Sequence, residues 1–184
     1  MRRYFTTLLP TLFALFLLSV PASAGPIVWT LSGVTFDDGG IATGSFVYDA
    51  DLNQYSSVNI TTTAGGTLSG ATYITVNSNF SPFTGSFLTT AVDPIGLPTL
   101  YLQFLSPLTN AGGTSSIATA SNNSFEGPCA ASDCLSAGPP LRLVQSGGTV
   151  MAVAAVPEPA TVVFSGAGIL FIAVLCARRR LAQS

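Results

Sequence analysis

Hydrophobic residues follow three regimes along this chain. Leu8–Val20 and Ala160–Ala177 are uncharged, predominantly apolar runs. Between them, short stretches rich in Val, Ile, Thr, Tyr and Phe alternate with polar residues and are broken by Gly, Asn, Asp and Pro. Alternation with period two marks half-buried strands, and the breakers mark turns. The pattern predicts strands over Ile27–Phe36, Ile41–Asp49, Tyr55–Thr63, Ala71–Asn77, Gly85–Ala91, Thr99–Leu105, Leu141–Gln145 and Thr149–Ala155. Ile27, Trp29 and Leu31 share one face of the first, and Ala42, Gly44, Phe46 and Tyr48 one face of the second. Asn110–Gly113 and Ala120–Pro140 read as loops. No segment carries a capped helical period. The expected class is all-β, with two antiparallel sheets packed as a sandwich or jelly roll; an up-and-down barrel is the alternative.

The flanking apolar runs have a different logic. Arg2 and Arg3 precede the first, and Ala22-Ser23-Ala24 follows it, which is the layout of a secretory signal peptide (residues 1–24) cleaved after Ala24. The second run is a short membrane span, since about 17 apolar residues suffice to cross a bilayer as a helix. Arg178, Arg179 and Arg180 follow it directly and resist translocation, which holds that end in the cytoplasm. Before it, Pro157 and Pro159 remove two backbone donors and leave Pro157-Glu158-Pro159 extended and accessible. Residues 25–155 are left as the exported domain, long enough for a core of its own.

Val156-Pro157-Glu158-Pro159-Ala160-Thr161, the apolar helix and the terminal Arg cluster together resemble the PEP-CTERM sorting signal of bacterial surface proteins. The stretches Trp29–Leu31, Phe36–Gly40, Thr43–Asp49 and Val58–Thr61 are similar to a block at the front of many such proteins. The resemblance implies that residues 156–184 are a sorting signal. An exosortase-type membrane enzyme would read Pro157, Glu158 and Pro159 and remove the tail, after signal peptidase has acted at Ala22 and Ala24. It also implies transient anchoring in the inner membrane, then delivery to the cell surface or extracellular matrix, with exopolysaccharide as the surrounding partner. The role it implies is structural or adhesive, in a biofilm layer, and it brings no assigned catalytic activity.

Charge narrows the chemistry of the exported domain. Asp37, Asp38, Asp49, Asp51, Asp93, Glu126 and Asp133 stand against Arg142 alone, so seven acids and one base leave a net charge of −6. Without a basic face there is no means of gripping a nucleic-acid backbone. The chain has no histidine and no lysine, so Ser-His, Cys-His and Ser-Lys pairs cannot be built. Paired carboxylates at Asp37/Asp38 or Asp49/Asp51 are the one enzymatic option, a glycoside hydrolase. Both pairs lie in turn-like stretches, where Asp is favoured for bonding its own backbone. We therefore expect no enzyme and no cofactor. Asp49, Asp51 and Asn53 open like a calcium loop, but Gln54 and Ile60 occupy the places where the EF-hand needs Gly and Glu. Cys129 and Cys134, with four residues between them, are expected to form a disulfide in an oxidising compartment, free thiols being the alternative. The aromatics mostly alternate with polar neighbours and are expected in the core. Phe80-Ser81-Pro82-Phe83 is the exception, a loop whose rings either cover the core's end or offer the stacking surface of a carbohydrate-binding module.

Overall fold

The computed structural model describes residues 25–78, 80–119 and 123–153. The signal-peptide positions, including Ala22 and Ala24, and the whole of 156–184 with Pro157–Pro159 and Arg178–Arg180 lie outside the described residues. Among the described residues no helix is long and apolar enough to cross a membrane. These residues belong to the unit Ala24–Ala155.

β1 (Ile27–Phe36) and β2 (Ile41–Asp49) form where the alternation predicts them, joined by the Asp37–Gly40 turn. Their register places Trp29 opposite Phe46 and Val34 opposite Ala42, with a bulge between Leu31 and Val34. β3 (Gln54–Thr62) pairs with β2, and the register slips between Ser45 and Val47. The slip explains a break in its alternation. Ser57 takes a left-handed φ of 47°, so Tyr55 and Val58, three residues apart, both turn inward. Gly44, opposite Ile60, has φ 123°, and a Cβ there would strike the Asn59 carbonyl.

The next expected strand, Ala71–Asn77, divides around the exposed Ile74 into β4 (Thr72–Tyr73) and β5 (Thr75–Val76). β4 pairs with β3, while β5 pairs with β6 (Thr84–Leu88). β7 (Pro98–Gln103) continues from β6. Two strands were not expected, one running on from the expected loop Asn110–Gly113 and one inside the expected loop Ala120–Pro140. β8 (Gly113–Ser116) is a polar strand, and β9 (Phe125–Pro128) reads Phe-Glu-Gly-Pro. Neither alternates; backbone hydrogen bonds hold β9 between β7 and β10, and β8 along β11. β10 (Arg142–Ser146) and β11 (Thr149–Ala152) complete the set.

The hydrogen-bonded order is β4-β3-β2-β1-β10-β9-β7-β6-β5, with β11 beside β1 and β8 beside β11. All of these strand pairs are antiparallel, as expected. The two ends of the path, β4 and β5, are neighbours in one extended segment, so the sheet is nearly closed into a barrel. The two layers anticipated from the pattern are thus hydrogen-bonded to each other. The strand order is not that of an up-and-down barrel either, because β1 sits between β2 and β10. Short strands with free edges invite misassociation, and closure removes most of that hazard.

Inward-facing side chains from both sides fill the interior. Phe46 of β2 lies 5.2 Å from the ring centroids of both Tyr55 (β3) and Phe87 (β6), and 6.1 Å from that of Phe104. Trp29, Tyr48, Ile60, Leu100 and Leu102 are buried around this cluster. Aromatic contacts of this kind contribute beyond the area they bury. Because Phe46 touches rings from across the barrel, Phe46→Ala is expected to lower stability by about 3–5 kcal/mol, read as a shifted midpoint in urea unfolding with the disulfide intact.

Candidate functional site

One end of the barrel holds a buried cluster of charges. Arg142 on β10 and Glu126 on β9 are cross-strand partners, and both side chains are almost wholly enclosed. The Arg142 Nε and Nη2 groups donate to Glu126 Oε2 at 3.0 and 2.7 Å, a close charge-assisted pair. Glu126 Oε1 accepts from Tyr73 Oη at 2.7 Å and from Thr62 Oγ1 at 2.9 Å. Four donors thus occupy the four good acceptor positions of one carboxylate. Thr62 is itself held by the Ala71 N–H, donating at 3.0 Å.

The remaining donors of the guanidinium turn outward from β9. Nη2 donates to the Thr63 carbonyl at 3.0 Å, and Nη1 meets the two Asp38 oxygens at 3.2 and 3.3 Å. Its carbon lies 4.2 Å from the centre of the Phe36 ring, a cation–π contact that closes the remaining face. Gly40 is required beside it, because a Cβ there would overlap the guanidinium.

Asp38 sits in the β1–β2 turn and has two tasks. Its Oδ1 caps the turn by accepting from Gly40 N, while Oδ2 accepts from the N–H groups of Thr67 and Leu68. It therefore ties the 63–70 connection to the turn and to Arg142 at once. Burial by itself raises the Asp38 pKa. The N–H groups of Gly40, Thr67 and Leu68 and the Arg142 charge outweigh that effect and hold the carboxyl below its ordinary value. Tyr73 is pushed far upward, first by burial and then by the Glu126 charge it bonds. Asp37, the turn's other acid, accepts from Leu143 N at 3.0 Å and so fastens β10 to the turn.

The other expected positions are placed as follows. Asp49 Oδ1 accepts from the N–H groups of Asp51 and Leu52 at 2.9 and 3.2 Å, an Asx turn leading into β3. Asn53, at φ 48°, accepts the Tyr48 hydroxyl at 2.7 Å. Asp49, Asp51 and Asn53 thus occupy the turn, with Asn110 bonded to Ala50 N from the facing loop. Among the described residues no group of three or more His, Cys, Asp or Glu side chains is gathered as a metal site would need. Cys129 and Cys134 are joined in a disulfide, and Ser86 Oγ donates to the Cys134 carbonyl. In chain-entropy terms, closing a loop this short is worth about 2 kcal/mol. In the Phe80–Phe83 loop, Phe80 packs edge-on against Tyr55, whereas Phe83 is 45% exposed. Phe80 thus takes the expected place over the core's end, while Phe83 faces outward.

Periodicity could not reveal the cluster, since Glu126 lies in a strand that does not alternate and Asp38 and Arg142 are 104 residues apart. One signal was available: a lone cation among seven acids, in a domain with a real core, is a candidate for burial with partners. The fold and this site define a disulfide-bridged all-β domain whose buried charges are satisfied internally. No protein family, no curated protein and no solved structure matches the chain.

Removing one member of a buried ion cluster strands the others without water, and the cost is commonly about 3–5 kcal/mol. Arg142→Met is accordingly expected to destabilise the domain by that amount in urea unfolding, with Glu126→Gln less severe because the amide still accepts one bond. The pH dependence follows from the depressed Asp38 pKa. Its contribution is fully present above the unfolded value of about 3.9, and it is lost as pH falls through the lower folded value. Asp38→Asn should flatten the acid limb of the stability–pH curve below about pH 4, measured by thermal unfolding across a pH series.

Proposed function

We propose that this chain is an exported surface or matrix protein with a structural or adhesive, non-catalytic role in an exopolysaccharide layer. The observation that carries this reading is the succession of segments in the tail sequence: Pro157-Glu158-Pro159, then the uncharged apolar run 160–177 proposed as a membrane helix, then Arg178–Arg180. Together with the signal peptide proposed for residues 1–24, it places the middle of the chain outside the cell. An exosortase-type enzyme then acts at Pro157–Pro159 and frees the domain.

Two features of the domain support the reading. A disulfide between Cys129 and Cys134 suits an oxidising compartment rather than a bacterial cytoplasm. The best-enclosed carboxylate, Glu126, is saturated by Arg142, Tyr73 and Thr62 and has no lone pair left for a substrate proton. Asp37, Asp38 and Asp49 are likewise engaged in holding turns. Such an arrangement favours a rigid structural domain over a hydrolase.

Intact-mass measurement tests the reading on protein recovered from cells and medium, with and without the processing enzyme. The expected species in the medium begins at Gly25 and ends near Pro157. In cells lacking the enzyme, the tail should be retained in the inner-membrane fraction. A released protein that still carries Arg178–Arg180 would refute the sorting role.

A further inference from the structure

The barrel's outer face carries an apolar cleft at the place where both described ends of the chain meet. Thr30 of β1 pairs with Met151 of β11, and Met151 pairs with Thr114 of β8. Side chains on the face away from the core therefore form one strip across three strands. Pro26, Val28, Thr30, Thr114, Met151 and Val153 line a cleft of about 690 Å³. Val28 is 54% exposed, Met151 45% and Val153 91%. No charged residue lines it, although the domain as a whole carries −6. These exposed apolar side chains lie side by side on the strip, where they can shed water together against an apolar partner.

We propose that this face rests on the lipid bilayer while the C-terminal tail is membrane-inserted. The inference rests on the sorting reading above. Chain length supplies the constraint. Val153 lines the cleft, and the apolar run begins at Ala160, so six residues (154–159) separate the two. Fully extended, six residues reach about 20 Å. The cleft is thus tethered close to the headgroup layer for as long as the tail is retained. Charge selects the orientation. An acidic domain is repelled by anionic headgroups, and the uncharged strip of β1, β11 and β8 is the face at the tether that meets them without that penalty. Val28 and Met151 then shed water against lipid.

The test uses residues 25–184, the form left after signal-peptide removal, reconstituted in phosphatidylcholine vesicles that contain a lipid spin-labelled near the headgroup. In a Cys176→Ser background, which leaves the native disulfide in place, Met151→Cys carries an environment-sensitive fluorophore. Ile74→Cys, at a 60% exposed position three strands away from β1 around the sheet, is the control. The protein is expected to float with the vesicles, with the Met151 label quenched about twofold more strongly than the Ile74 label. Val28→Glu should abolish that difference without releasing the protein. Flotation with equal quenching at both positions would overturn the contact and leave the sorting reading standing. Failure to float would overturn both.

Discussion

Arg142 is the only base between residues 25 and 155, and it is fully buried. A guanidinium taken out of water is tolerable only if its donors find partners and its charge is balanced. Those partners come from four separate places: Glu126 on β9, Asp38 in the β1–β2 turn, the Thr63 carbonyl after β3, and the Phe36 ring on β1. Glu126 extends the set to Thr62 and Tyr73. The near-closure of the sheet and the satisfaction of this charge are therefore coupled, because β3 and β4 must be in place for Glu126 to be fully bonded. Loss of any one of these partners would leave a buried charge or donor unbonded.

The rest of the molecule separates into a dry centre and pinned rims. Phe46, Tyr55, Phe87 and Phe104 meet across the interior and supply the non-directional burial that holds the sheet closed. At the rims, short polar side chains bond backbone groups that the ladder leaves unused. Asp49 does so at the β2–β3 turn, Asp38 across the 63–70 connection, and Ser115 with both backbone groups of Ser106. Of the acids counted as candidates for chemistry, Asp37, Asp38 and Asp49 accept hydrogen bonds from backbone N–H groups.

What the one-dimensional pattern determined is clear in particular elements. Ile27–Phe36 and Ile41–Asp49 emerge with the expected ends, because their alternation is uninterrupted and Asp37–Gly40 can only turn. The all-β class, the antiparallel pairing and the Cys129–Cys134 bridge were legible for the same reason: each depends on residue type and near neighbours. Tertiary structure decided the rest. It made strands of Gly113–Ser116 and Phe125–Pro128 by offering them paired edges, and split 71–77 so that one segment serves both ends of the sheet. It also brought Asp38, Glu126 and Arg142 together, since the cost of burying a charge depends on partners that sequence distance does not record.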